Sequence, residues 1–202
     1  PEDQILIFLD LASHSLNHLK KKKTEIFIFD HHEITQEIPN NITMINPELE
    51  NQEKVCSAAI CYLFAKKLSK QNLDLSTLAV IGMVGDNHEK DIGKIYDEII
   101  KDSETTIKKG LLLYPSTRPL DRALEYSSSP YIPGVTGSYQ GVMHLIRDAG
   151  IKKEGSTYKA LYELTEEEMS NLITAITLRA MGKTSPEEFI GNLYLVKHFN
   201  KL

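Results

Sequence analysis

The chain has 202 residues, 41% of them apolar and 25% charged, with a formal net charge of −5. That is the make-up of one ordinary soluble domain, or one domain with a small appendage, and a cytoplasmic setting is expected. No apolar run approaches the roughly 18 residues of a membrane helix, so no membrane partner is expected, and the acidic balance argues against a broad polyanion-binding face.

Ile5-Leu-Ile-Phe-Leu-Asp10 is an apolar run that delivers an acid at its end and predicts a strand over about residues 4–9. A short helix is expected within His14 to Lys23. His14 and His18 share an i,i+4 spacing, but no acid is placed beside them, so exposed or capping roles are expected. Lys20 to Lys23 reads as a solvated loop. Glu25-Ile-Phe-Ile-Phe-Asp30-His31-His32 then places four consecutive apolar residues, a strand buried on both faces, directly before a carboxylate and two imidazoles. A third short strand, Thr43-Met-Ile45, stops at the turn pair Asn46-Pro47. Val55 to Lys70 shows helical spacing; its Cys56 and Cys61 read as small buried thiols, with neither a disulfide framework nor a zinc spacing. Leu75 to Val84 is almost wholly apolar and ends at Gly85-Asp86, and its periodicity leaves helix and strand both open.

From about residue 102 to 137, four prolines and a serine cluster imply ordered loops around short helices. Gly134 to Ser138 reads as the entry to a helix carrying Val142, Leu145 and Ile146. Thr165-Glu-Glu-Glu168 forms a capping box with a Leu164/Met169 staple, Gly182 would close that helix, and Ser185-Pro186-Glu187-Glu188 would open a last one. The expected fold class is α/β: a parallel β-sheet flanked by helices over residues 1–101. A smaller segment of the same catalytic region, loop-rich and then mostly helical, would follow over 102–202.

In open α/β sheets, ligands gather beyond the carboxyl ends of the strands. Two neighbouring parallel strands would bring Asp10 within reach of Asp30, His31 and His32. One aspartate after a strand is ordinarily a cap or turn residue, and adjacent histidines can simply be packed. Two acid-terminated strands, a double histidine and Asp86 together tip the balance to a metal site. Carboxylates mixed with imidazoles suit Mn²⁺, with Mg²⁺ or Co²⁺ also fitting, and a pair of such ions about 3.5–4 Å apart is common machinery of phosphoester hydrolysis.

In Asp30-His31-His32, Asn46-Pro47, Cys56-Ser57-Ala58-Ala59 and Ile81-Gly-Met-Val-Gly-Asp86, taken in that order, the chain resembles the DHH phosphoesterase superfamily. Within it the likeness is to RecJ-like single-strand exonucleases, in particular their archaeal relatives, whose connecting region Leu113 to Asp121 and Tyr131 to Gly137 resemble. The resemblance implies a Mn²⁺-dependent phosphodiesterase of DNA repair, acting on single-stranded DNA or RNA and working beside helicase or replication proteins. By the same resemblance Asp10 would bridge two Mn²⁺ ions, with His31 and Asp86 as further ligands of one of them. His32 would contact the scissile phosphate, Asp30 would support it, and the run before Asp86 would be a buried helix. His88, Arg118 and Arg122 are weaker candidates for substrate contacts, while Tyr131 and Tyr139 are expected to be structural.

The family's first metal motif would lie upstream of Asp10, and its glycine-rich substrate domain downstream. A catalytic-domain fragment that binds metal weakly and turns over poorly by itself is therefore expected. Two other functions compete with the exonuclease. One is a phosphodiesterase of dinucleotides or short oligonucleotides; the other is a catalytically inactive replication scaffold of the same fold.

Overall fold

A computed structural model describes residues 4–50, 53–113, 116–180 and 189–196. The chain divides into two compact units, the first running to Thr106 and the second covering Ile107–Leu195. Among the described residues no helix is long and apolar enough to cross a membrane.

In the first unit, β1 (Leu6–Leu9), β2 (Ile26–Phe29) and β3 (Ile42–Ile45) form a parallel sheet in the order β1-β2-β3. Leu6 pairs with Ile26 and Ile26 with Ile42, and the register holds to Leu9, Phe29 and Ile45. The ladder runs one step further: Asp10 N–H donates to Phe29 O at 2.9 Å and Asp30 N–H to Ile45 O at 3.1 Å. The first two acids are thus fixed side by side by backbone hydrogen bonds. Side chains alternate across the sheet. Ile26, Ile28 and Ile42 bury one face with Leu16 of the short helix α1 (Leu16–Leu19). On the other, Phe29 meets Phe64 of α2 (Ser57–Leu68) edge to face, with centroids 4.9 Å apart. Ile7 and Leu9 of the edge strand β1 remain 61% and 50% exposed.

The apolar run before Asp86 is a helix, α3 (Ser76–Gly85). Its packing explains the glycine in Ile81-Gly82-Met83. A Cβ at Gly82 would lie 2.6 Å from Ala58 Cβ and 3.2 Å from Cys56 Sγ, so the absence of a side chain lets α3 approach the start of α2. The same turn carries the acid, since Asp86 N–H donates to Gly82 O at 2.9 Å. Gly82→Ala is expected to destabilise the protein by about 1 kcal/mol, because overpacking of about 1–3 kcal/mol exceeds the helix-propensity gain of about 1 kcal/mol. Ala58→Gly in the same chain should recover part of that loss in urea unfolding; no recovery would show that the Ala58 contact is not the cause.

Helix α4 (Lys94–Asp102) buries Tyr96 and Ile99 one turn apart and is not foreseen from the sequence. Asp102 at its end accepts hydrogen bonds from Tyr62 Oη at 2.6 Å and from Lys66 Nζ, which also reaches Glu98. Burial opposes the Asp102 charge, but the bonds from Lys66 and Tyr62 outweigh it and hold its carboxyl below the usual value. Stability from this depressed group is complete above the unfolded carboxyl value of about 4 and is lost as pH falls below it. Asp102→Asn should therefore destabilise at pH 7 by about 1–2 kcal/mol and by much less at pH 3. An equal loss at both pH values in urea titrations would contradict this.

The second unit contains β4 (Thr106–Leu111), α5 (Leu120–Glu125), α6 (Tyr139–Asp148), α7 (Glu166–Ala180) and β5 (Ile190–Leu195), with β4 and β5 forming a two-stranded sheet. Leu111, Leu124, Leu145, Leu172 and Phe189 are among its core residues. The capping box is present: Glu168 N–H donates to Thr165 Oγ1 at 3.1 Å and Thr165 N–H to Glu168 Oε2 at 2.9 Å. Ser138 caps α6 by accepting from Gly141 N–H. Two expectations are corrected. Residues 106–111 are a strand within the stretch read as loops, and residues 190–195 are a strand where a last helix was expected. Cap signals are local, whereas these strands are set by each other, as Leu112 N–H donates to Phe189 O at 2.8 Å. Gly182 and residues 185–188 lie outside the described residues.

Candidate metal centre

The parallel register places Asp10 and the Asp30-His31-His32 segment at the carboxyl ends of adjacent strands, as a ligand site in an open sheet requires. Asp10 takes a left-handed φ of 61°, unusual for a residue other than glycine, at the first position after β1. Its backbone is nevertheless fixed by the bond to Phe29 O. Strain retained beside a polar cluster is a common mark of function.

Four side chains converge. His31 Nε2 lies 3.5 Å from Asp10 Oδ1 and 3.7 Å from Asp86 Oδ2. Asp86 comes from the end of α3, where Asn87 follows with another left-handed φ of 58°. The ligand atoms of Asp10, His31 and His32 all lie within 4.8 Å of one another. Two carboxylates and two imidazoles, with no thiolate among them, suit a divalent cation of the Mn²⁺ or Mg²⁺ kind.

Asp30 is buried and makes a different contribution. It accepts from Ser13 N–H at 3.2 Å, Ser13 Oγ–H at 2.5 Å, His31 N–H at 2.9 Å and His32 N–H at 3.3 Å. Its Oδ1 is also 2.6 Å from His32 Nδ1. Burial pushes its carboxyl up, yet the Ser13 and His32 bonds prevail and bring it down to about 2. The Asp30 bond in turn raises His32 above the ordinary imidazole value, against a smaller opposing effect of burial. With Nδ1 held, Nε2 is the ring atom His32 offers to a ligand. Asn46 secures the segment from β3, donating to His32 O at 2.9 Å.

His88 also reaches this cluster, its ring 6.0 Å from that of His31. Its Nδ1 lies 2.7 Å from Tyr96 Oη, which accepts from Cys56 N–H at 2.7 Å. Ser13 and Tyr96 carry no sequence signal for these roles. Each acts across 17 and 40 residues of chain on Asp30 and Cys56, and neither sits in a motif. His14 is exposed with its ring 6.3 Å from His32, while His18 lies in α1, so the two do not share a helix. Lys20 to Lys23 are exposed. Arg118 and Arg122 belong to the second unit, where Arg122 Nη1 pairs with Glu125 Oε2 at 3.0 Å.

Residues 113–194 match the family model of the DHH-CID domain. The similarity is to that domain of the DHH superfamily and covers the second part of the chain. The matched segment lies in the second unit, whereas Asp10, His31, His32 and Asp86 lie in the first. No curated protein matches the sequence. Among the solved structures that match is a crystal structure of exonuclease RecJ bound to manganese, at 15% sequence identity and a TM-score of 0.40. The match covers 87% of this chain and 46% of that one, so the chain spans less than half of that protein's solved length.

Proposed function

We propose that the chain is a DHH-superfamily, RecJ-like, metal-dependent phosphodiesterase that shortens single-stranded DNA or RNA as an exonuclease, of the archaeal type. The observation that carries the reading is the approach of Asp10 and Asp86 to the same nitrogen of His31, beside a histidine braced by a buried carboxylate. Asp10, His31 and Asp86 would hold Mn²⁺, and the same carboxylate and imidazole donors would also suit Mg²⁺ or Co²⁺. When bound, the metal supplies Lewis-acid polarisation of the phosphoryl group and lowers the pKa of water.

The protein's own groups do the rest. Asp30 fixes the His32 ring through Nδ1, and the same bond favours a proton on Nε2. A phosphoryl oxygen accepts a hydrogen bond from that Nε2–H as negative charge grows on it. Tyr96 orients His88 at the rim of the cluster, and Arg118 and Arg122 are further phosphate contacts. Single-stranded nucleic acid is the substrate, and helicase or replication proteins are the partners.

The test uses the intact protein with Mn²⁺ on end-labelled single-stranded DNA, single-stranded RNA and a dinucleotide. Progressive shortening of the long strands, abolished by EDTA, is expected. Cleavage of the dinucleotide alone would replace the exonuclease reading with a small-substrate phosphodiesterase. No metal-dependent cleavage of any of the three would refute the enzyme reading altogether.

A further inference from the structure

We propose that the outward face of α6 and the turn after it form a separate groove that binds single-stranded nucleic acid, carried entirely by the second unit. Helix α6 buries Val142, Leu145 and Ile146. Its other face presents Tyr139, His144 and Arg147, and the chain then turns sharply at Gly150. That turn is a Schellman close: Gly150 N–H donates to Arg147 O at 3.0 Å and Ile151 N–H to Ile146 O at 3.1 Å, with Gly150 at φ 72°. It brings Lys152 and Lys153 back along the helix, while Tyr158 packs its hydroxyl 3.7 Å from Met143 Sδ. The result is a groove of about 820 Å³.

Its chemistry is uniform. None of the groove's ten lining residues is acidic, in a chain of net charge −5. The acids that follow Arg147 and Lys153 in the chain each form an ion pair outside the groove. Asp148 pairs with Arg179 at 2.6 Å, and Glu154 with Lys159 at 3.2 Å. None of the ion pairs among the described residues involves Arg147, Lys152 or Lys153, so three cations without an ion-pair partner stand around the groove, although the Asp148 carboxylate feels the charge of Arg147.

Aromatic faces flank them. Tyr139 is 53% exposed, and Lys153 Nζ lies 5.3 Å over the Tyr158 ring. Cations that follow a backbone beside rings that accept a base are the features of single-strand binding surfaces. An acidic polypeptide would use the cations and leave the rings idle. The choice of nucleic acid among polyanions rests on the phosphodiesterase reading above.

The test measures binding of the intact protein to a fluorescent single-stranded oligonucleotide in EDTA, so that no turnover occurs. Arg147→Glu/Lys152→Glu/Lys153→Glu should weaken binding at least about thirtyfold. The slope of log affinity against log salt should flatten by about 2, since each single-strand phosphate contact contributes about 0.7. Arg147→Gln/Lys152→Gln/Lys153→Gln is the companion should charge reversal disturb folding. Tyr139→Ala/Tyr158→Ala should weaken oligonucleotide binding at least about fivefold and leave competition by inorganic polyphosphate unchanged.

Wild-type affinity in both charge variants would overturn the groove. So would polyglutamate competing as well as the oligonucleotide with no effect of the tyrosine variant, which would make this an acidic-protein surface. Dinucleotide hydrolysis with Mn²⁺, which should be unchanged in the charge variants, reports separately on the metal cluster. Absence of Mn²⁺-dependent cleavage of single-stranded DNA, RNA and the dinucleotide alike in the wild type would refute the phosphodiesterase without touching the binding result.

Discussion

Asp86→Ala is expected to lower metal-dependent cleavage at least about a thousandfold while leaving the melting temperature within a few degrees of wild type. The effect on rate is large because Asp86 Oδ2 lies 3.7 Å from His31 Nε2, the nitrogen that Asp10 Oδ1 approaches at 3.5 Å. Its removal takes away one of the two carboxylates proposed to hold the cation. The effect on stability is small because the Asp86 side chain is 40% exposed and closes no buried network. Asp10→Ala should behave in the same way, since its side chain is 62% exposed. Initial rates and thermal melts of both variants check this. Turnover within tenfold of wild type in either variant would remove that carboxylate from the centre.

Asp30→Ala should do the reverse and strike the fold as well as the rate. Five hydrogen-bond contacts meet on this buried carboxylate, from Ser13, His31 and His32. Alanine leaves those donors without a partner, at a cost of about 3 kcal/mol or more. The His32 ring loses its orienting bond at the same time, and losses of this kind reduce activity by about 10- to 100-fold. Urea unfolding and initial rates separate the two effects. A stability loss under about 1 kcal/mol would show that Asp30 does not hold the loop together.

Much of this arrangement is legible in the chain itself. The runs ending at Asp10 and Asp30 have strand composition and deliver acids at their ends, and the parallel register sets those ends side by side. The position of Asp86 is harder, because an all-apolar run has no face from which to read its period. What decides it is the close approach of Gly82 to Ala58, a contact spanning 24 positions of sequence. Ser13 and Tyr96 are invisible for a related reason: a serine in a loop and a tyrosine on an amphipathic helix have no pattern until the fold brings them to Asp30 and His88. The same limit explains β5. A serine-proline cap signal is local, and the strand that follows is specified by its pairing with β4.

The most direct test of the central claim is the rate of single-strand cleavage across a Mn²⁺ titration, in wild type and in His31→Ala. Both carboxylates approach the nitrogen this variant removes. A saturable rise with Mn²⁺ in the wild type, with the variant needing at least about a hundredfold more metal or failing to respond, is the predicted result. A wild-type rate indifferent to Mn²⁺, or a variant with the wild-type titration curve, would contradict a metal centre built on His31.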